Sequence, residues 1–479
     1  MTMASSLRSV VDDVLAQIVP SQEDRKQVEY TTELMQTLIG NEVNKSGLDI
    51  DIEVGGSVAK NTWLRKDVDI DLFMLFPTSI DKRRLGEYGL SIAKKAVQGY
   101  VQRERYAEHA YLEAWVNDVR VNIVPCYKAG EGNWQSAADR SPFHTRYVVG
   151  KLGPTHLEDD IRVFKRFIKG IDAYGAEIRV KGLSGYLCEL LIIHYGSFEK
   201  TLQAISEWRY GKIIDPEKQY DSEIKEAQTL FPASLVVIDP VDKNRNVAAA
   251  VSKDRLAELI IASRLFLKNP SICFFYLDKI SASPTNLTKN LHIPYDVIVV
   301  QINTDEEIPD ILWGELRKTQ KALERLLRNN DFNVIKSDVW TDETETSAVL
   351  IGLESKNIAK IRTRDGPPGD TDGVQPFLEK YARDSVIGPW VEDGKWNVCL
   401  KRRSVSAEAL LKEALSDGGL HVGVSRGLSD SLASSRVRSI KDSSLNKRAD
   451  FSRFLEEFLD GRPRWLSRYY SSSSTVSSM

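Results

Sequence analysis

The stretch "GGSVAKNTWLRKDVDIDLFMLFP", Gly55 to Pro77, decides how the first part of the chain folds. It opens on small residues, Gly55-Gly56-Ser57, and ends on an apolar run, "VDIDLFMLF", interrupted by acids. On a strand, side chains at i and i+2 share a face. Asp69 and Asp71 therefore point one way, with Asp67 on the same side, and Val68, Ile70 and Leu72 point into a core. Two adjacent like charges resist joint ionisation unless a cation lies between them. Mg²⁺ is a hard ion that favours carboxylate and phosphate oxygen, and two such ions can align an attacking hydroxyl with a triphosphate leaving group. A small-residue turn that opens a helix presents free N–H groups to a phosphate. Ser57 adds a hydroxyl donor, and Lys60, one turn on, adds positive charge. Three acids alone describe a solvated edge strand. Ser57 followed, after eleven residues, by Asp-x-Asp on an apolar strand favours the phosphate-and-metal reading. A second stretch, "VRVNIVPCY" (119–127), repeats the alternation but carries Asn122 where a carboxylate is expected.

Around this stretch the periodicities predict a small α/β domain. "LRSVVDDVLAQIV" and "DRKQVEYTTELMQTLIGNEV" read as helices, and "LDIDIEV" as a strand. "DKRRLGEYGLSIAKKAVQGYV" reads as a helix, and "AYLEAWV" and "VRVNIVPCY" as a pair of strands. From 156 to about 270 the spacing is helical, broken by "LVVIDPVD", a short strand and turn. From about 290, strands ("YDVIVVQIN", "FNVIKSDVWTD", "TSAVLIGLES", "KWNVCLKRR") alternate with helices ("DILWGELRKTQKALERLLRNN", "GVQPFLEKYARD"), which predicts a second α/β or ferredoxin-like domain. A small helical tail follows 405, and the terminal "SSSSTVSSM" reads as disordered.

The 479 residues suffice for about three or four domains. No run of about 18 apolar residues occurs, so no membrane span is expected. The N-terminus reads as an amphipathic helix, not a signal peptide, and a cytoplasmic protein is expected. The four cysteines are far apart without C-x-x-C, and the six histidines do not cluster near them, which argues against structural zinc or a disulfide framework. With a net charge of −3, any nucleic-acid contact must use a local basic surface.

The stretches "GSVAKNTWLRKDVDIDLFMLFP", "RYAEHAYLEAWV", "VNIVPCYKAG", "SAADRSPFHTRYV", "AYGAEIRVKGLSGYLCELLIIHYGSF" and "VIDPVDKNRNVAAAVS" occur in one order over the first 270 or so residues. Together they resemble the class I (archaeal-type) CCA-adding enzymes, tRNA nucleotidyltransferases of the polymerase-β-like superfamily. "FLEKYARDSVIGPWVEDGKWNVCLKR" is similar to that family's tail region. The resemblance implies an α+β multidomain protein. A polymerase-β-like nucleotidyltransferase head would span 1–150 and a helical nucleotide-binding domain 151–275. A ferredoxin-like or α+β tRNA-binding body would span 276–400, and a tail 401–479. It implies Mg²⁺, CTP, ATP and tRNA as cofactor and partners, and a homodimer.

Residue by residue, the resemblance makes Ser57 a phosphate contact and puts Lys60 where an arginine is usual, so the charge stays but the bidentate fork is lost. Asp69 and Asp71 match the first two metal ligands. His144, Lys165 and Tyr174 fall where the family contacts triphosphate and sugar, and Arg245 where an arginine helps select the base. Asn122 replaces the third acid, the one on the metal that activates the 3′-hydroxyl. It offers a neutral oxygen and no charge, and that oxygen is expected within about 3–5 Å of the Asp69 and Asp71 oxygens. Asp118 and Glu113 lie nearby without matching by position.

On the residues alone, His144 reads as a satisfied structural histidine, Lys165 as an exposed helix lysine, and Arg245 as a brace for Asp239 or Asp242. Asn246 is a plausible N-cap for the helix that follows. Arg317, Lys318, Lys321, Arg325 and Arg328, the run Lys401–Arg403, and Arg436–Arg448 could meet RNA phosphate, although charged helix faces are usually just solvated. Trp208, Trp313 and Trp390 read as packing residues. Two functions stay open: an enzyme adding C, C and A, and a catalytically weakened or silent tRNA- or nucleotide-binding paralogue. A polymerase adding another nucleotide or a poly(A) tail fits the Arg245 region less well.

Overall fold

The structure is a computed structural model that describes residues 3–106, 110–220, 224–276 and 294–474. It divides into two compact units, Met1–Asp278 with Arg462–Met479, and Lys279–Gly461.

The first unit opens with helices α1 (Met3–Ile18) and α2 (Gln22–Ser46). A Ser21/Asp24 capping box starts α2, and Gly47, at φ 68°, ends it in the left-handed region. A five-stranded sheet follows in the order β1-β2-β5-β4-β3, built from β1 (Asp51–Gly55), β2 (Asp69–Phe76), β3 (Val101–Tyr106), β4 (Ala110–Val116) and β5 (Val119–Tyr127). Only β2 and β5 run parallel. The short helix α3 (Gly56–Ala59) leaves β1, and α4 (Lys82–Ala96) follows β2. Alternation along β2 separates its two faces. Ile70, Leu72, Met74 and Phe76 join Met35, Ile39, Leu85, Ile92, Val121 and Ile123 in one core. On the other face Phe73 and Leu75 pack with Cys126, while Asp69 and Asp71 occupy the start of the strand.

Two expectations change here. β3 lies where the helix was read to continue to Val101; "VQRERY" is almost wholly exposed and presents no apolar face to reveal a strand. Asp67 precedes β2, bridges back to Leu64 and pairs with Lys169, so it does not share the strand face.

Helices α5 (Ser141–Leu152), α6 (Glu158–Gly170), α7 (Gly185–Tyr195), α8 (Phe198–Glu207), α9 (Ile224–Leu230) and α10 (Lys253–Lys268) carry the centre of the unit. Phe164, Phe167, Leu187, Leu191, Phe198 and Phe266 fill its core. The expected short strand is one of three, β6 (Lys212–Ile214), β7 (Leu235–Asp239) and β8 (Asp242–Asn246), in one small sheet. Asn246 closes β8, and Ser252 is the N-cap of α10, accepting from Arg255 N–H. The helix Arg464–Ser474 returns to this unit, with Trp465 and Tyr469 in the same core. It includes the first four serines of the terminal run; the remaining expected disorder, at 475–479, lies outside the described residues.

In the second unit β9 (Asp296–Asn303), the helix Pro309–Asn329, β10 (Val334–Thr341), β11 (Thr346–Leu353), the helix Ala407–Leu415 and β15 (Arg436–Ser439) run in the order β-α-β-β-α-β. The antiparallel sheet order β10-β11-β9-β15 is the ferredoxin-like arrangement. A second sheet, β12-β14-β13, is inserted after β11; β12 (Ile361–Pro368) and β13 (Ile387–Glu392) flank the expected β14 (Lys395–Lys401). Several basic candidates are tied to acids: Arg317 to Asp338, Arg328 to Glu324, Arg402 to Asp331 and Arg448 to Asp342 and Asp450. Lys318, Lys321, Arg325, Arg436 and Arg438 are exposed. Trp208 and Trp313 are buried, and Trp390 is half-buried.

Candidate active site

Register places the head residues. Directly paired residues of neighbouring strands project to the same face. Gly55 pairs with Asp71, Asp71 with Asn122, and Asn122 with Glu113, forming one row across four strands. Asp69 pairs with Arg120 in the next row. Gly56 has φ +62°, and a Cβ built there would lie 1.8 Å from Asp71 Oδ2. Only glycine permits this approach, so the Asp71 carboxylate lies against the turn that opens α3 and carries Ser57.

Asn122 Nδ2 donates to Asp71 Oδ1 at 2.9 Å. The expected neighbour of Asp71 is therefore present, but it turns its amide nitrogen, not its oxygen, to the acid. Arg120, which sequence reasoning did not single out, donates through Nε to Asp69 Oδ1 at 2.7 Å and through a terminal nitrogen to Oδ2. Its other terminal nitrogen is 3.5 Å from Glu113, which also pairs with Arg105 at 3.0 Å. Burial pushes the Asp71 carboxyl up, against the Asn122 hydrogen bond; the Asp69 charge adds to the rise, and Lys60 and Arg120 oppose it.

Behind the turn, the buried carboxylate of Glu189 on α7 collects two candidates. Lys60 Nζ is 2.8 Å from Oε2, Lys165 Nζ is 2.8 Å from Oε1, and Thr62 Oγ1 donates to Oε1 at 2.7 Å. Burial alone would raise Glu189, but the two ammonium groups outweigh it and hold it at about 2. Burial lowers Lys165 against the pull of Glu189. Lys165 thus faces inward, not to solvent. A Cβ on Gly185 would lie 2.9 Å from Tyr174 Oη and 3.8 Å from Lys165 Nζ, so Tyr174 and Lys165 meet over that glycine.

Asp239, fully buried at the end of β7, collects the others. His144 Nε2 lies 2.9 Å and Arg245 NH1 2.7 Å from Oδ2, and Tyr186 Oη and Val241 N–H donate to Oδ1, each at 3.1 Å. Asp242, the other acid considered for Arg245, pairs with Arg140. Burial works against ionisation of Asp239, but the hydrogen bonds from His144, Val241 and Arg245 outweigh it. Burial lowers His144, against the hydrogen bond to Asp239 and its charge. Tyr186 joins the two clusters: its ring stacks on His144 at 4.0 Å, and Lys60 Nζ lies 5.4 Å from its centre. Glu189 and Tyr186 had not been singled out. The signal for Glu189 was in "LCELLIIHY": one acid in an otherwise apolar helical run needs a buried partner.

Three family models match the chain: a nucleotidyltransferase domain at 39–148, the second domain of tRNA nucleotidyltransferase at 159–276, and the C-terminal domain of the CCA-adding enzyme at 295–435. Nucleotidyltransferases of this type generally use divalent metal ions. A CCA-adding enzyme of Methanopyrus kandleri is 36% identical over 96% of this chain and 98% of its own length. One from Saccharolobus shibatae is 36% identical over 84% and 91%. Among solved structures, E. coli MS115-1 CdnC with ATP is 17% identical, with a TM-score of 0.43, covering 57% of this chain and 94% of that one. No helix among the described residues is long and apolar enough to cross a membrane. With one match at this identity spanning nearly its whole length, the chain belongs to the family of CCA-adding enzymes, which are tRNA nucleotidyltransferases.

Proposed function

We propose that this chain adds C, C and A to the 3′ end of tRNA from CTP and ATP, without a nucleic-acid template. In each step the terminal 3′-oxygen bonds to the α-phosphorus of the nucleotide. The bond from that phosphorus to the bridging oxygen of the β-phosphate breaks, pyrophosphate leaves, and the hydroxyl proton passes to solvent. One observation supports the reading: an Asp71 carboxylate oxygen lies where a Cβ on Gly56 would be, so the acid adjoins the Gly55–Ser57 turn.

In this reading Asp69, Asp71 and Asn122 would hold a divalent cation, Mg²⁺. When bound it supplies charge stabilisation at the phosphates. The chain's own residues bind and orient the nucleotide. Ser57 and the turn's N–H groups receive the phosphates. Lys60 and Lys165 share one carboxylate and so leave net positive charge beside the turn. Tyr174 and His144 bound the sugar side. Arg245, fixed by Asp239 and 37% exposed, offers its remaining N–H groups to the base edge that C and A have in common, a ring-nitrogen acceptor beside an exocyclic amine. In this reading residues 1–150 are the catalytic domain, 151–275 the nucleotide-binding domain, 276–400 the tRNA-binding body and 401–479 the tail. The body grips tRNA by shape and backbone. The protein works as a cytoplasmic homodimer.

Asn122, where a third carboxylate is expected, favours a second reading, a silent tRNA- or nucleotide-binding paralogue. Incorporation of labelled CTP and ATP into tRNA lacking its terminal trinucleotide separates the two. Incorporation that Asp71→Ala abolishes is expected. No incorporation by the natural chain, with gain on Asn122→Asp, establishes the silent paralogue instead.

A further inference from the structure

The clusters around Glu189 and Asp239 leave one concave, positively charged part of the first unit without a role. A cavity of about 390 Å³ lies between the end of α1, the turn Leu64–Asp67 and Arg166 on α6, with Tyr276 beside it. Two of its charges are matched: Arg65 Nε lies 2.9 Å from an Asp24 oxygen, and Asp67 pairs with Lys169. Lys66 and Arg166 are not, since neither pairs with an acid among the described residues. Lys66 is exposed in the turn that Asp67 N–H closes on the Leu64 carbonyl. Arg166 is half-buried. Its Nε donates to the Phe275 carbonyl at 2.7 Å, and its guanidinium lies over the Tyr276 ring, 4.9 Å from the centre. One edge of the fork is thereby fixed, and the terminal nitrogens remain for a ligand. Burial lowers Arg166, and the Asp67 charge opposes this without a hydrogen bond.

We propose that this cavity binds a backbone phosphate of the tRNA 3′ strand, with Arg166 as the fork and Lys66 as the second charge. This rests on the nucleotidyltransferase reading above. A half-buried guanidinium without a counter-charge gains from an anion, and its paired N–H groups match two phosphate oxygens. With a net charge of −3 on the whole chain, attraction for RNA has to come from a local excess of this kind. Position selects the ligand. Asp67 on the cavity wall is two residues ahead of Asp69, and an extended chain covers at most about 7 Å in two residues. The strand that brings its terminal hydroxyl to Asp69 and Asp71 carries one phosphate per nucleotide, so its last phosphates come close to this wall. Lys169, the partner of Asp67, also lies over the Tyr174 ring, 4.5 Å from the centre, so the same wall borders the sugar side of the nucleotide site. The volume is that of a small-ligand pocket, enough for a phosphate with its sugar.

The test is equilibrium binding of tRNA lacking its terminal trinucleotide to the full chain, without nucleotide, over a range of salt. Arg166→Gln is expected to weaken binding about tenfold and to reduce the slope of log K against log salt by about 0.7. A neutral methylphosphonate at one of the last three linkages should cost the natural chain a similar factor and cost Arg166→Gln less. Because Arg166 also holds Phe275, its variant could fail to fold; Lys66→Gln alters an exposed side chain and should show the same pattern more weakly. Folded variants that bind tRNA as tightly as the natural chain, with the same salt slope and the same methylphosphonate penalties, overturn the assignment and leave the nucleotidyltransferase reading standing. Weaker inhibition of incorporation by pyrophosphate in Arg166→Gln, with tRNA affinity unchanged, overturns it in favour of the leaving diphosphate. Weakened tRNA binding in the variants, beside a natural chain that incorporates nothing, upholds the phosphate site and removes only the enzyme reading.

Discussion

Two pairs of carboxylates in the same unit meet opposite fates. Glu189 and Asp239 are sealed from water, at 1% and 0% exposure, and every oxygen accepts from a fixed side chain or backbone donor. Asp69 and Asp71 sit at the start of a strand, only partly covered, and Asp71 keeps one oxygen facing a turn. A buried acid with well-placed partners fixes the cations around it, and removing it strands them. An acid with an unfilled oxygen in a cleft is available to a ligand. In the proposed reading, this difference gives holding to the helical centre and chemistry to the sheet.

The sharpest way to break this contrast is Asp71→Asn. Incorporation should fall on the order of 10³-fold, about 4 kcal/mol of barrier, while urea denaturation shows no loss of stability; a large loss there would make Asp71 a structural acid like the other two. Glu189→Gln should do the reverse first. It leaves two buried ammonium groups without a counter-charge and should cost about 3–5 kcal/mol in urea denaturation. The same acid gives the natural chain a pH signature. Its carboxyl is held at about 2 in the fold, against 4.5 for an unperturbed Glu, so its contribution to stability is full above about 4.5 and is lost as pH falls towards about 2. Denaturation across that window should show the loss in the natural chain, and Glu189→Gln should flatten it.

Gly56→Ala sharpens the comparison from the backbone side. Its φ of +62° carries a penalty of roughly 1–2 kcal/mol for a residue with a Cβ, and that Cβ would collide with Asp71. Incorporation should drop by about 10²-fold, with a modest fall in melting temperature. The smallest effect belongs to Ser252→Ala, which removes the N-cap of α10. It should cost about 1 kcal/mol and leave incorporation per folded molecule unchanged.

Much of this was legible before any coordinates. The alternation in "VDIDLFMLF" and the helical spacing of the centre named their elements because apolar period reports burial. What stayed hidden had no such signature. β3 is a charged edge with nothing to bury. β12 is an exposed strand in the inserted sheet and likewise shows no apolar stripe. The candidates Lys60, Lys165 and His144 were named through the resemblance, but their anchors were not, because a side chain's partner 24 to 129 residues away leaves no local pattern, whereas Asp239, six residues before Arg245, was read as its partner. Arg120 could have been found: it lies two residues before Asn122, on the same face of an alternating strand, and so next to the acids of β2.

The helix Arg464–Ser474 packs Trp465 and Tyr469 against Phe274, in the core that α6 to α8 and α10 also build. That core is therefore unfinished while the ribosome is still making the second unit. During synthesis the ferredoxin-like unit can complete its sheet at Ser439, whereas the helical centre must wait for Trp465 with part of its phenylalanine cluster uncovered. Nascent chains stalled before that tryptophan should be the ones that chaperones hold longest.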